Sequence, residues 1–180
     1  MGKVCKQRRD VGFFSDVSKG YNYSTQKMPA LPLSTSIVLP HILYHTNLAL
    51  GTNFNGLLIN RYHTGEQYIS AHSDDEKGLD KNHKMVASLC YGPGISEAHT
   101  GRVNYLGISE AHTGRVNYLG IRTFRIRNKT TKEIVLDHQH LPCSLLVMEG
   151  EFQREFTHEI PIQKKIKEDR ISVTFRTHAE

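Results

Sequence analysis

Residues 71–76 read AHSDDE, a histidine followed closely by three acids. In an extended segment His72 and Asp74 stand at i and i+2, so both side chains leave the same face. Their Cα atoms then lie about 7 Å apart, within reach of one shared metal ion. A third ligand has to come from elsewhere, and His158 in the turn-like stretch FTHEIP is the candidate. Two histidines and one carboxylate on one side of an ion, with the other side open, is the arrangement of non-haem Fe(II) oxygenases. The open positions take a cosubstrate and O2. The chain holds 11 histidines, and H-x-D with a distal His also fits a zinc site, a structural cluster or a solvated acidic loop.

The C-terminal RISVTFR (170–176) bears on that choice. It alternates: Ile171, Val173 and Phe175 point to a core, while Arg170, Ser172, Thr174 and Arg176 share the other face. Arg170 and Arg176 then stand about 20 Å apart along the strand. Two guanidinium groups reaching inward leave room for a small dicarboxylate, because a planar fork pairs bidentately with carboxylate. Without the metal motif the same pair reads as two surface arginines on a basic edge strand.

These residues need strands to carry them, and β patterns dominate. RTFRIRN (122–128) alternates Phe124 and Ile126 against Arg125 and Arg127, and GLLINRYH (56–63) and SLLVME (144–149) read as further strands. A helix is expected around 34–47, capped by Ser34 or Ser36, with Pro40 in its first turn or kinking it. Short strands between polar turns suggest a sandwich or barrel. The 180 residues, 38% hydrophobic and 23% charged, suit one domain of ordinary soluble composition. No apolar run is long enough to span a bilayer and no signal peptide opens the chain. Cys5, Cys90 and Cys143 are odd in number and form no CxxC, which reads as reduced thiols in an intracellular protein.

Net charge is +5. The cations cluster: Lys3, Lys6, Arg8 and Arg9; then Arg122, Arg125, Arg127, Lys129 and Lys132; then Lys164, Lys165 and Lys167. Such clustering fits a phosphate backbone better than an even scatter would. GISEAHTGRVNYL occurs at 94–106 and again at 107–119. Solenoid repeats are longer and drift in sequence, so this reads as a surface loop or hairpin extension between two strands, with His99 and His112 as passengers.

Taken together, YNYS (21–24), MPA (28–30), FNGLLINRYHTGEQYISAHSDDE (54–76), SLCYGP, RTFRIR, SLLVMEG, THEIP and RISVTFR resemble the AlkB family of Fe(II)/2-oxoglutarate-dependent nucleic-acid dealkylases. The resemblance covers most of the chain, and its ordered N-x-Y, H-x-D-x-E, distal His and R-x5-R is specific. It implies a mainly β (α+β) fold: a double-stranded β-helix, or jelly roll, with one or two flanking helices. It implies one domain over 1–180, with a nucleotide-lid segment at about 1–33. Position by position, His72, Asp74 and His158 would hold the catalytic Fe(II). Asn60 and Tyr62 would contact 2-oxoglutarate, Arg170 would pair with its distal carboxylate, and Ser172 and Arg176 would complete that site. Tyr23 would stack on a flipped base with Tyr21 beside it, Glu76 would take the exocyclic amine, and Asp75, Arg125 and Arg127 would assist substrate binding. Ser172 stands where the family has Asn, and serine reaches less far. The chain starts just before RRDVGFFSD, so an upstream β-segment found in relatives is expected to be missing.

The implied activity is oxidative demethylation of bases such as 1-methyladenine and 3-methylcytosine in DNA or RNA. It would use Fe(II), 2-oxoglutarate and O2 and release succinate, CO2 and formaldehyde. A base must leave its stack before such chemistry reaches it, and aromatic faces replace the lost stacking at about 1–3 kcal/mol per base. These lesions are cationic, which suits Glu76 and Asp75. The expected partner is alkylated DNA or RNA, with no membrane, and the expected state is a monomer. Two other functions fit the same residues: a 2-oxoglutarate-dependent hydroxylase of a non-nucleic-acid substrate, and a catalytically weak nucleic-acid-binding module.

Overall fold

The computed structural model describes residues 8–23, 26–75, 78–80, 82–91 and 120–179. The duplicated 94–119 segment, Glu76, Lys3 and Lys6 lie outside them. The strands are β1 (Asp10–Phe14), β2 (Gly20–Tyr23), β3 (Gln26–Pro29), β4 (Gly56–Tyr62), β5 (Ile69–His72), β6 (Val86–Tyr91), β7 (Arg122–Asn128), β8 (Ile134–His140), β9 (Leu145–Met148), β10 (Phe156–Ile160) and β11 (Arg170–Arg176). Helix α1 (Val38–Leu50) lies between β3 and β4, and the single turn α2 (Phe152–Glu155) precedes β10.

One antiparallel sheet has the order β1-β4-β11-β6-β9, the other β5-β10-β7-β8. From β4 onward the chain crosses repeatedly between them: β4 lies in the first, β5 in the second, β6 in the first, β7 and β8 in the second, β9 in the first, β10 in the second and β11 in the first. That winding is a double-stranded β-helix, the expected jelly roll. A separate β2–β3 hairpin precedes α1.

The alternation of β11 decides both of its faces. Val173 and Phe175 join Leu57, Ala87 and Phe54 in a core closed from outside by Leu39 and, more peripherally, Ile42, Leu43 and Leu50. These four residues belong to α1. The other face turns toward the second sheet, so Arg170, Ser172, Thr174 and Arg176 are buried rather than solvated. Between the sheets Tyr62, Ile69, Val86, Phe124, Met148 and Ile160 form a second core. The polar end of that layer is the functional cavity.

Helix α1 starts and ends later than the pattern over 34–47 suggested, because Leu33–Thr35 closes a 3-10 turn first. Ser36 Oγ accepts the Val38 N–H at 3.2 Å. Pro40 is the third helical residue, where the missing N–H would have had no intrahelical partner.

One arginine in each of two basic clusters is removed from the surface by burial. Arg122 is fully enclosed and donates to the carbonyls of Thr64, Gln67 and Pro161 at 2.7–3.1 Å and to Gln163 Oε1. It clamps the β4–β5 connection to the segment after β10 and is closed to phosphate. Arg9 is buried as well, its Nε donating to Asn60 Oδ1 at 2.6 Å. Lys164, Lys165 and Lys167 are exposed, as a phosphate-facing cluster requires.

Candidate active site

Strands β5 and β10 place the two histidines directly opposite each other in an antiparallel pair. Their ring centroids are 4.3 Å apart. Asp74 follows the end of β5, and its carboxylate lies 3.7 Å from His72 Nε2 and 3.5 Å from His158 Nε2. One ligand atom from each of the three falls within 4.8 Å of the others, the one such metal-capable group among the described residues. The i, i+2 spacing and the distal histidine thus converge as the sequence suggested.

Their neighbours fix each ligand. His72 Nδ1 donates to the Ser70 carbonyl at 2.9 Å, which leaves the Nε2 lone pair for an ion. The His158 ring stacks on Phe124 at 5.0 Å and 14°. The Asp74 backbone N–H donates to buried Gln153 Oε1 at 2.8 Å, and Arg176 Nη2 donates to Asp74 Oδ1. Burial alone would raise the Asp74 carboxyl, but Arg176, His158 and His72 outweigh it and hold it well below the usual carboxylate range. Burial pushes His158 down to about 3 against the pull of Asp74, so its imidazole is neutral and ready to ligate. Asp74 Oδ2 is buried with no hydrogen-bond partner. A buried, ionised oxygen left open beside two imidazoles suits a divalent cation.

A narrow cavity, partly open to solvent, runs inward from the triad. Asn60, Tyr62, Arg170, Ser172 and Arg176 all line it. At its far end Arg170 is 1% exposed, with Nε and Nη1 lacking hydrogen-bond partners. A second cation, Arg122, stands close enough to be felt electrostatically; the Tyr62 ring lies 5.4 Å from Arg170 and 5.6 Å from Arg122. A buried guanidinium in such company calls for an anion, and a carboxylate from a ligand in the cavity meets that need. The residues present therefore fit both an iron and a 2-oxo diacid.

The substrate-facing residues are placed unevenly. Tyr21 lines the cavity, with the Arg176 guanidinium 5.1 Å from its ring centre. Tyr23 lies in β2, but its side chain, like Glu76, falls outside the described part. Asp75 is exposed and paired with Lys129 at 3.2 Å. Arg125 makes a two-pronged contact with Asp137, and Arg127 donates to Glu159; both stand on the face of β7 away from Phe124 and the cavity. Sequence reasoning missed Gln153, His140 and the stacking role of Phe124. The 2.0 period of β7 puts Phe124 on the inward face, a signal that was available for that residue.

A jelly roll carrying two histidines and a carboxylate at the mouth of its inter-sheet cavity, with a buried arginine deeper in, has the architecture of the mononuclear non-haem iron oxygenases. The family model of the 2OG-Fe(II) oxygenase superfamily matches residues 2–176. The chain is 29% identical over 190 residues to the DNA oxidative demethylase ALKBH2 of Arabidopsis thaliana, covering 97% of this chain and 54% of that protein. It is 30% identical over 139 residues to the alpha-ketoglutarate-dependent dioxygenase alkB homolog 3 of Homo sapiens, covering 71% of this chain and 37% of that one. The solved structure of OsALKBH1 superposes with a TM-score of 0.49 at 13% identity, over 98% of this chain and 82% of that one. The chain belongs to the AlkB family of that superfamily, whose members work with Fe(II), 2-oxoglutarate and O2. It spans about half the length, or less, of these two curated relatives.

Proposed function

We propose that this protein oxidatively demethylates N-alkylated bases, such as 1-methyladenine and 3-methylcytosine, in DNA or RNA. The observation that carries the reading is the buried triad His72, Asp74 and His158 sharing one cavity with the unneutralised Arg170. The names of the two relatives, a DNA oxidative demethylase and an alkB homolog, supply the substrate class.

Bound Fe(II), with 2-oxoglutarate and O2, supplies the oxidation that converts an N-methyl group to a hydroxymethyl group, which then leaves as formaldehyde. The chain's own residues do the rest. His72, Asp74 and His158 would hold the metal. Arg170 takes the distal carboxylate of 2-oxoglutarate, with Asn60, Tyr62 and Ser172 beside it. Arg176 keeps Asp74 ionised. The β2–β3 hairpin, carrying Tyr21 and Tyr23, serves as the lid under which an extruded base lies, and Glu76 accepts from its exocyclic amine and favours its positive charge. Lys164, Lys165 and Lys167 meet phosphates outside the cavity. The free thiols Cys90 and Cys143 accord with an intracellular site of action.

The test is incubation with Fe(II), 2-oxoglutarate, ascorbate and an oligonucleotide carrying one 1-methyladenine. Loss of the methyl mass with matching succinate is expected. Succinate without loss of the methyl group would point to another substrate, and oligonucleotide binding with no succinate to a binding module.

A further inference from the structure

Strand β8 ends at His140, which is completely enclosed although the rest of its strand is exposed. Its Nδ1 lies 3.0 Å from Arg170 Nη2, and its Nε2 lies 3.3 Å from the Ser144 carbonyl. Those two partners settle the tautomer: Nε2 carries the proton and donates to Ser144, so Nδ1 presents a lone pair to the guanidinium. Burial and the adjacent Arg170 push the imidazole down to about 3, so the acceptor is neutral at any working pH.

A neutral acceptor does something a carboxylate in the same place would not. It takes one hydrogen bond from Arg170, which fixes the direction of the planar fork, yet leaves the positive charge whole. The face of Tyr62 supports the guanidinium from a second direction. Nε and Nη1 remain without partners. An Asp or Glu here would satisfy the cation inside the protein and compete with any incoming anion.

We propose that His140 is a positioning residue for the cosubstrate, orienting Arg170 toward the distal carboxylate of 2-oxoglutarate without neutralising it. The inference rests on Arg170 receiving that carboxylate, and its test keeps the two apart. Under nitrogen, the protein loaded with Mn(II) is titrated with 2-oxoglutarate by calorimetry, so no turnover is involved. Arg170→Ala should weaken binding about a hundredfold, the scale of a lost charge-assisted pair. His140→Leu should weaken it about tenfold, the scale of one hydrogen bond, with Mn(II) affinity unchanged. His140→Gln, which offers a neutral acceptor again, should recover most of that loss. His140→Glu should bind 2-oxoglutarate more weakly than His140→Leu does, because it orients the fork but removes the charge.

If Arg170→Ala weakens binding while His140→Leu and His140→Glu both match wild type, the positioning role is wrong and the assignment of Arg170 stands. If Arg170→Ala leaves binding intact, or wild type binds no 2-oxoglutarate, both are wrong. Should His140→Leu fail to fold, the ordering of wild type, Gln and Glu decides alone: equal affinities overturn the proposal.

Discussion

His72 and His158 face one another as a cross-strand pair, 86 positions apart in the chain and 4.3 Å apart between ring centres. The register of β5 on β10 is therefore the register of the metal site. A slip of one residue in either strand would turn that strand's ring to the opposite face, away from its partner.

Asp74 completes that pair and is the residue whose loss should separate chemistry from binding. Asp74→Ala is expected to abolish iron retention and demethylation while leaving oligonucleotide binding at low salt intact. It should also cost the metal-free protein about 3 kcal/mol, since Arg176 would stay buried without its carboxylate. Parallel metal analysis, turnover and binding measurements check this; equal loss of turnover and binding would mark Asp74 as a folding residue.

Arg122 tests whether the middle basic cluster serves nucleic acid or the fold. Arg122→Met strands several buried carbonyls, so it should cost about 3–5 kcal/mol in urea unfolding. The salt dependence of oligonucleotide binding should not change. A flattened salt dependence with wild-type stability would return Arg122 to the phosphate-binding surface.

Lys164, Lys165 and Lys167 carry the opposite expectation. Replacing all three by Gln should leave stability within about 0.5 kcal/mol of wild type. If each neutralises one phosphate of a single strand, the slope of log K against log salt should fall by about 2. Binding measured from 50 to 200 mM salt reads this directly, and an unchanged slope would place the contact surface elsewhere.

His140 and His178 give the fold a pH dependence. Burial and Arg170 push the first down to about 3, and burial and Arg176 push the second down to about 4. Both are buried and neutral in the folded chain, whereas in the unfolded chain each takes a proton near pH 6.5. Their neutral forms thus contribute stability that is fully present above pH 6.5 and is lost as pH falls toward the folded values. The slope approaches about 1.4 kcal/mol per pH unit for each histidine. Urea midpoints at pH 7, 6 and 5 should decline steadily, and His140→Leu should remove about half of the decline due to these two residues; a pH-independent midpoint would contradict the burial of neutral imidazoles.

What the sequence made legible was whatever depends on spacing along one strand. The i, i+2 relation of Asn60 and Tyr62 and the alternation of β11 survive in the fold, whereas Asp74 meets His72 from a bend just past the end of β5. The winding of the two sheets and the third ligand came from motif order, since nothing local ties His158 to His72. The partnerships that tune the site were not legible. Arg9 on Asn60, His140 on Arg170 and Gln153 on Asp74 join residues 51, 30 and 79 positions apart. A run of basic residues also does not reveal which of them is buried. Arg122 and Arg125 sit in one strand, yet the first is a structural clamp on the inner side and the second an exposed ion pair with Asp137. Charge counting treats them alike, and only the pleat of β7 separates them.

The account depends most on the metal centre, and X-ray absorption on protein reconstituted with Fe(II) under nitrogen tests it most directly. One ferrous ion per chain is expected, bound by two imidazoles and one carboxylate, with a spectrum that changes when 2-oxoglutarate is added. A closed four-ligand site that holds zinc in preference and ignores 2-oxoglutarate would contradict it.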